Sequence, residues 1–391
     1  MSANPLEVSV RIFGRAAVSD FLGDLIVYRN LAPIDTRLPG LAHIRRQIDL
    51  PAGRIPRKSE LDYARVIVRY LLEARKLLSG ASPLRRLLLV GDTQLNDGTA
   101  FANISRVSGR PGIAFIGSEK PEPPRLELRT LEDAPLYVAN RWTMLYDFDA
   151  YCRAQGYPID DSAAVILDLD KTTVGARGRN DGAIDAARIE AVHLTVADLL
   201  GGDFAPSGFR RSYDLLNQPA FHPFTADNQD YLVYVCLIIA AGLVSLDALV
   251  ARIQAGELHS FAQFLGEVDA RSAALPHNLR ALHTEFAALV SRGDPTPLKQ
   301  FRYHEYRATA ARFGAMPDTA AVSELLDREI VITQEVREMA LAWRSRGALL
   351  FGLSDKPDEA SIPSPELLAQ GYRPIHRLET HAVGLGSEGP W

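Results

Sequence analysis

The sequence predicts an α/β fold, a Rossmann-like parallel sheet with helices on both faces, together with a large helical domain inserted into the chain. Strand-like apolar runs alternate with helical patterns over the first half of the chain, and one such run returns near the C-terminus. The runs are "RRLLLVGDT" (85–93), "GIAFIGSE" (112–119), "AAVILDLD" (163–170) and "ALLFGLSDKP" (348–357). From about 183 to 345 the pattern is helical, which predicts the insertion.

Each element follows from local pattern. The run at 163–170 is continuously apolar and rich in branched residues, which is typical of a strand covered on both faces. A helix is predicted over 98–108, and "YVANRWTMLYDFDAYCRAQG" predicts another that ends at Gly156. Between them, "SEKPEPPRLELR" has the proline and charge density of a surface connection. Asp147 and Asp149 would point to different faces of their helix, which predicts surface charge.

Composition limits the function classes. A chain of 391 residues is long enough for two domains, and its net charge of −5 argues against a nucleic-acid binder. Two distant cysteines, Cys152 and Cys236, indicate neither a disulfide framework nor a metal site and favour a reducing cytosol. The N-terminal stretch does not have the pattern of a signal peptide, and "YLVYVCLIIAAGLV" (231–244) is short for a membrane span. A cytoplasmic protein without membrane contacts is therefore expected.

Polar side chains follow three of the predicted strands. In an open parallel sheet the carboxyl ends of the strands share one rim, where ligands bind. The residues expected on that rim are Asp92, Asp97, Asp168, Asp170 and Ser354. Several carboxylates so close together need a cation, and oxygen ligands select a hard ion, most simply Mg²⁺. Asp168 and Asp170 then suit a nucleophile and an acid/base pair.

Each of these residues also has a structural interpretation. Asp168 and Asp170 could solvate a strand end or cap a helix, and Asp92 and Asp97 are residue types that turns favour. Ser354 could be an ordinary helix N-cap, and an isolated lysine such as Lys58 could be a solvated surface residue.

Three strand-end motifs resemble those of the haloacid dehalogenase superfamily of phosphohydrolases. "DLDKT" is similar to the first motif, D-x-D-x-T, and "LLFGLSDKP" to the second, a strand ending in Ser or Thr and continued by an "NKP"-like triplet. "LLLVGDTQLND" resembles the fourth motif in its G-D-x-x-x-x-D form. The third motif is a lone lysine on a helix shortly before that strand, and Lys58 lies at a suitable distance from it.

The motifs occur here in the order third, fourth, first, second, which is what a circular permutation of the family's chain would give. The resemblance then implies that the strand ending at Asp168 lies between the strands ending at Asp92 and Ser354, all parallel. The segment around Lys58 should pack beside the same rim. The C-terminal stretch "GYRPIHRLETHAVGL" should lie near the sheet edge by the strand from 348.

The resemblance also implies roles. Asp168 would be the nucleophile that forms an aspartyl-phosphate, and Asp170 the general acid and base whose backbone carbonyl binds metal. Thr172 would support this loop, while Ser354 and Lys58 would bind the phosphoryl oxygens and neutralise charge. Asp92 and Asp97 would complete the Mg²⁺ site, and Arg177, Arg179 and Lys356 are candidates to bind the substrate.

The expected organisation is a core of residues 1–172 and 346–391 with a helical cap domain, 173–345, inserted between the first and second motifs. A large cap favours a small phosphorylated metabolite as substrate. The sequence thus predicts a Mg²⁺-dependent phosphatase. A phosphomutase or phosphotransferase of the same superfamily, and a non-catalytic binding protein on this fold, remain alternatives. The identity of the substrate and the oligomeric state remain open.

Overall fold

A computed structural model describes residues 10–386 except 52, 54, 79–81, 201–205 and 227. The chain divides into two compact units, one formed by Met1–Ala187 with Thr309–Trp391 and the other by Arg188–Ala308. The ends of the predicted core at 1–9 and 387–391 lie outside the described residues.

The first unit contains all the strands found among the described residues. They are β1 (Arg11–Ala16), β2 (Ile26–Val27), β3 (Arg86–Gly91), β4 (Gly112–Gly117), β5 (Leu126–Leu131), β6 (Ala134–Ala139), β7 (Ala163–Asp168), β8 (Ile332–Thr333), β9 (Leu349–Leu353) and β10 (Thr380–Gly384). The helices of this unit are α1 (Ser19–Leu22), α2 (Leu41–Gln47), α3 (Leu61–Leu77), α4 (Thr99–Ser108), α5 (Met144–Ala154), α14 (Val322–Arg328), α15 (Gln334–Ser345) and α16 (Pro365–Ala369).

Seven strands form one sheet in the order β2-β9-β7-β3-β4-β6-β5. All neighbouring strands are parallel except β5, which pairs antiparallel with β6. The predicted α/β class with a mostly parallel sheet is confirmed. So is the predicted neighbourhood, because β7 lies between β3 and β9 and is parallel to both.

Helices cover both faces of this sheet. On one face, buried residues of α2, α3 and α4 pack with alternate strand residues such as Leu87, Ile166 and Phe351. On the other face Phe115 of β4 contacts Trp142 and Phe148, with ring centroids 6.2 and 5.5 Å apart. This two-sided cover explains why β3, β7 and β9 are apolar apart from Arg86 at the start of β3 and Asp168 at the end of β7.

The hairpin β5–β6 was not predicted. The sequence favoured a surface connection up to residue 129 and a helix from 137, but β5 and β6 occupy Leu126–Ala139 and α5 begins only at Met144. The segment 134–139 forms a strand because it pairs with β4. A contact with another segment of the chain leaves no local pattern in the sequence.

The prediction that Asp149 carries surface charge is wrong. Its side chain is buried where α5 meets α15, and it accepts hydrogen bonds from the indole Nε1 of Trp343 (2.9 Å) and from Arg346 (2.8 Å). A buried carboxylate with these partners ties two helices together. It is a structural residue of the core.

The C-terminal stretch forms a second sheet. β10 pairs antiparallel with β1 and parallel with β8, and none of these three strands joins the seven-stranded sheet. The expected position near the edge by the strand from 348 holds for the first part of the stretch, because His376 and Arg377 contact Asp24 beside β2, the strand next to β9. It does not extend to β10, which pairs with β1 and β8 instead.

The second unit is helical. Besides most of α6 (Asp181–Leu200) and α13 (Lys299–Ala310), it contains α7 (Pro206–Leu216), α8 (His222–Thr225), α9 (Gln229–Ala240), α10 (Leu246–Gln254), α11 (Phe261–Ala270) and α12 (His277–Ser291). This unit is shorter than the predicted insertion of 173–345. Residues 309–345 belong to the first unit, where α15 buries Met339 and Trp343.

Candidate functional site

The ends of four neighbouring parallel strands form one rim. In register, Val90 of β3 lies beside Leu167 of β7, and Asp168 lies beside Leu353 of β9. Residues that follow these strands therefore meet at the same edge, as the sequence predicted. Beyond β9, the short strand β2 adds Tyr28 to this edge.

Lys58 joins two of the predicted carboxylates. It precedes α3, and its Nζ donates hydrogen bonds to Oδ1 of Asp97 at 2.5 Å and to Oδ1 of Asp168 at 2.6 Å. All three side chains are buried. Burial alone would lower the pKa of Lys58, but the charges of Asp168 and Asp97 raise it well above its ordinary value. Lys58 is thus a fixed cation at the centre of the cluster.

A tight turn after β3 holds Asp97. Residues Gln94–Gly98 form a π-helical turn, and Oδ2 of Asp97 accepts hydrogen bonds from the backbone N–H groups of Asp92 (3.0 Å) and Thr93 (2.9 Å) and from the Thr93 hydroxyl (3.0 Å). Gly91 is required here, because a Cβ at that position would lie 2.6 Å from the Cβ of Asp97. The spacing in "GDTQLND" therefore forms a turn that fixes the Asp97 carboxylate in contact with Lys58.

Asp92 is held by a different cation. Nε of Arg177 lies 2.5 Å from Oδ2 of Asp92, and the Arg177 side chain is 37% exposed. The backbone carbonyl of Arg177 accepts the N–H of Glu119 at 2.8 Å, which anchors the loop from which the side chain extends. Arg177 was predicted to bind substrate. In the structure its guanidinium forms an ion pair with Asp92.

The cluster holds more negative than positive charge. Carboxylate oxygens of Asp92, Asp97 and Asp168 lie within 4.8 Å of one another, facing the cations Lys58 and Arg177. Burial and the charge of Asp97 raise the pKa of Asp92 to about 7. Burial also raises the pKa of Asp168 well above its ordinary value against the effect of Lys58, with Asp97 and Asp92 adding to the rise. For Asp97, the charge of Lys58 outweighs burial and lowers the pKa.

A threonine side chain holds the loop after β7 to the backbone of Asp168. The hydroxyl of Thr173 donates to the carbonyl oxygen of Asp168 at 2.6 Å. Thr172, predicted to support this loop, is fully buried, but its Oγ1 has no hydrogen-bond partner among the described residues. The carbonyl of Thr172 accepts from the hydroxyl of Thr333 at 2.5 Å. Sequence reasoning missed Thr173, because the D-x-D-x-T pattern draws attention to the preceding threonine.

Asp170, two residues beyond Asp168, is half-buried. Within the described part of the chain its carboxylate makes neither a hydrogen bond nor an ion pair, unlike the carboxylates of Asp92, Asp97 and Asp168.

Ser354 and Lys356 lie beyond β9. Both are buried, and Oγ of Ser354 accepts the backbone N–H of Lys356 at 3.0 Å. The N–H of Ser354 in turn donates to the carbonyl of Val27 at 3.1 Å. Ser354 therefore continues the pairing of β9 with β2 at the rim.

Arg179 does not reach the cluster. Its guanidinium is buried and pairs with Glu119 at 2.8 Å and with Glu335 at 2.9 Å. These ion pairs tie the segment after β4 and helix α15 to the loop that carries Arg177. The predicted substrate-binding residue thus has a structural position here.

A hydrogen-bonded chain at the rim was not predicted. The hydroxyl of Tyr28 lies 3.2 Å from Nδ1 of His376, and Nε2 of His376 lies 3.1 Å from Oδ1 of Asp24. Since a carboxylate only accepts, we assign the ring proton to Nε2, so that Nδ1 accepts from Tyr28. Burial and then the charge of Asp170 raise the pKa of Tyr28. β2 is two residues long, too short for a sequence pattern to indicate.

Comparisons with family models, curated proteins and solved structures gave no match for this chain. In the described residues, no helix is both long and apolar enough to cross a membrane. The geometry of the rim is therefore the basis for a functional proposal.

Proposed function

We propose that this chain is a Mg²⁺-dependent phosphatase of the haloacid dehalogenase type with a circularly permuted motif order, acting on a small phosphorylated metabolite. The observation that carries the proposal is the contact of Lys58 with both Asp97 and Asp168. Three segments far apart in sequence, each selected for its resemblance to a different motif, meet at one buried point. A set of ordinary turn and capping residues would have no reason to do so.

The donor set fits a hard divalent cation. Three carboxylates lie within 4.8 Å of one another, and the two cations beside them leave the cluster one positive charge short. Burial, together with the neighbouring carboxylates, raises the pKa values of Asp92 and Asp168. Oxygen-only ligands favour Mg²⁺ over softer metals. Asp92, Asp97 and Asp168, with the carbonyl of Asp170, would hold the ion, which would neutralise charge on the transferring phosphoryl group.

The remaining residues supply the chemistry. An oxygen of Asp168 attacks phosphorus, the ester P–O bond breaks, and Asp170 gives its proton to the leaving oxygen. Water then attacks the phosphoaspartate, Asp170 takes back a proton, and inorganic phosphate leaves. Only Oδ1 of Asp168 contacts Lys58, so Oδ2 is the oxygen available for attack. Lys58 and Ser354 would bind the phosphoryl oxygens.

The strand order supports the permutation. β7 carries the segment that resembles the first motif, and it lies between β3, which precedes the fourth-motif segment, and β9, which precedes the second-motif segment. The strands are thus neighbours although the motifs follow a different order along the chain. The termini of compact domains often lie close together, so a chain can be rotated without changing which strands are neighbours.

A panel of phosphorylated metabolites, assayed for phosphate release with and without Mg²⁺, tests the proposal. We expect release from at least one ester, dependent on Mg²⁺ and lost in Asp168→Asn, because an amide cannot attack phosphorus. Asp214→Asn, at an exposed position of the helical unit, is the matched control and should keep full activity. No phosphate release from any ester, together with no binding of Mg²⁺ by calorimetry, would contradict the proposal.

A further inference from the structure

Strand β5 is an open edge of the seven-stranded sheet. It pairs with β6 on one side, and no described residue pairs with its other side. Two leucines on this strand are exposed, Leu126 at 40% and Leu128 at 58%. An edge strand of six residues with solvent-exposed apolar side chains is a template for pairing with another strand.

The hairpin fixes which backbone groups point outward. The N–H of Asn140 donates to the carbonyl of Arg125 at 3.2 Å, so Arg125 faces β6 in a hydrogen-bonded pair. Such pairs alternate along an antiparallel ladder. Leu126, Leu128 and Thr130 therefore direct their N–H and C=O groups to the open edge. Pro135, opposite Thr130 in the register, agrees with this parity, because it has no N–H to donate.

We propose that β5 pairs antiparallel with β5 of a second copy of this chain, about a two-fold axis at Leu128. In that register the outward groups of Leu128 meet those of Leu128 of the partner subunit, and Leu126 meets Thr130 of the partner subunit. All three outward residues of each strand are then hydrogen-bonded across the interface, and the sheet continues through both subunits.

Charge selects this register. The sequence of the strand and its preceding residue is "RLELRTL" (125–131), with Glu127 between two arginines. Centred on Leu128, the pairing sets Glu127 opposite Arg129 of the partner subunit twice, in the non-hydrogen-bonded pairs where side chains approach most closely.

The neighbouring registers of the same parity are disfavoured. A pairing centred on residue 127 sets the two Glu127 side chains opposite each other and also opposes Arg125 and Arg129. A pairing centred on residue 129 opposes the two Arg129 side chains. Like charges directly opposite are destabilising, so of these three registers the charges favour the one centred on Leu128.

The interface is continuous with the turn that carries Asp97. Arg129 donates to Oε1 of Gln94 at 2.7 Å, and Leu95 of the same turn is 81% exposed. A second copy seated on β5 would therefore lie beside the turn in each subunit. The proposal itself does not depend on phosphatase activity.

The test measures mass by sedimentation velocity over about 1 to 100 micromolar chain. The wild type should sediment as a dimer, twice the chain mass of 42.9 kDa, at the upper end of this range. Glu127→Arg and Arg129→Glu should each raise the dimer dissociation constant on the order of tenfold or more, because both crossing pairs become like-charged. Glu257→Arg, an exposed change in the helical unit with the same charge difference as Glu127→Arg, should leave the dimer intact.

Mixing the two variants is the decisive arm. A Glu127→Arg chain presents two arginines and an Arg129→Glu chain two glutamates, so a mixed pair has opposite charges at both crossing positions. An equimolar mixture should form heterodimers, and the double variant Glu127→Arg/Arg129→Glu should form homodimers again. Their recovery also shows that the single variants fold. A monomeric wild type, a dimer that survives the single reversals, or a mixture without heterodimers would each overturn the proposal.

Discussion

Lys58 and Asp168, which are 110 positions apart in sequence, are joined by a hydrogen bond of 2.6 Å between Nζ and Oδ1. The same nitrogen contacts Asp97, so one buried cation holds together the ends of β3 and β7. Both the stability of the rim and its proposed chemistry depend on this cation.

Removing the cation should destabilise the fold. Lys58→Met leaves Asp97 and Asp168 buried without their counter-ion, and breaking such a pair costs about 3–5 kcal/mol. Urea unfolding at pH 8 without divalent metal measures the loss. Lys76→Met is the matched control, because Lys76 is exposed and pairs only with Glu73 among the described residues; it should cost under about 0.5 kcal/mol. A Lys58→Met protein as stable as wild type would mean that this contact does not hold the rim.

Without metal, the ionisation of Asp92 should lower the stability of the fold as the pH rises. The folded chain keeps a proton on Asp92 up to about pH 7, whereas the unfolded chain releases it near the ordinary value of 3.8. At this carboxyl group the unfolded state therefore binds fewer protons, and the contribution of Asp92 to the free energy of unfolding decreases as the pH rises from about 4 to 7. One proton contributes a slope of at most about 1.4 kcal/mol per pH unit.

Asp92→Asn should flatten this dependence, measured as urea midpoints at a series of pH values. Mg²⁺ should raise the melting temperature more at pH 8 than at pH 5, because it favours the ionised carboxylates. A pH dependence that Asp92→Asn leaves unchanged would contradict the assignment.

Two adjacent threonines should respond in opposite directions. Thr173→Val removes the hydroxyl that donates to the Asp168 carbonyl and should cost about 1–2 kcal/mol. Thr172→Val replaces a buried hydroxyl without a partner among the described residues by a methyl group and should be neutral or stabilising by about 1 kcal/mol. Thermal unfolding of both variants measures the difference. Equal losses at the two positions would show that Thr172 does have a partner.

The two aspartates of α5 should differ in the same way. Asp149→Asn weakens the buried contacts with Trp343 and Arg346 and should cost about 2–4 kcal/mol. Asp147 is two residues earlier on the same helix and is exposed. Asp147→Asn should therefore change stability by under about 0.5 kcal/mol. Chemical denaturation of the pair checks this. An Asp149→Asn protein as stable as the wild type would contradict a structural role of Asp149 in the core.

Much of the rim could be predicted because strand ends carry a local signal. Runs such as "VILDLD" and "LLLVGD" change from apolar to acidic where a buried strand reaches its end, and parallel pairing brings those ends together. Lys58 could be placed only by its distance from the next strand, because a single lysine has no pattern of its own.

The remaining features depend on contacts that sequence does not encode locally. Arg177 and Arg179 are two residues apart in one basic stretch, yet one contacts Asp92 and the other is buried between Glu119 and Glu335. Their partners come from distant segments, so composition gives both arginines the same prediction. The Tyr28–His376–Asp24 chain is of the same kind, since it joins the two ends of the described chain.

The central claim is that Asp168 is the nucleophile of a phosphoryl transfer that needs Mg²⁺, and trapping the intermediate tests it most directly. The protein is mixed with Mg²⁺ and p-nitrophenyl phosphate or an ester from the panel, quenched in acid and reduced with borohydride, which converts a phosphoaspartate to homoserine. Peptide mass spectrometry should find the conversion at Asp168, dependent on Mg²⁺ and absent in Asp168→Asn. Mg²⁺-dependent phosphate release without conversion at Asp168, or with conversion at another residue, would contradict the account.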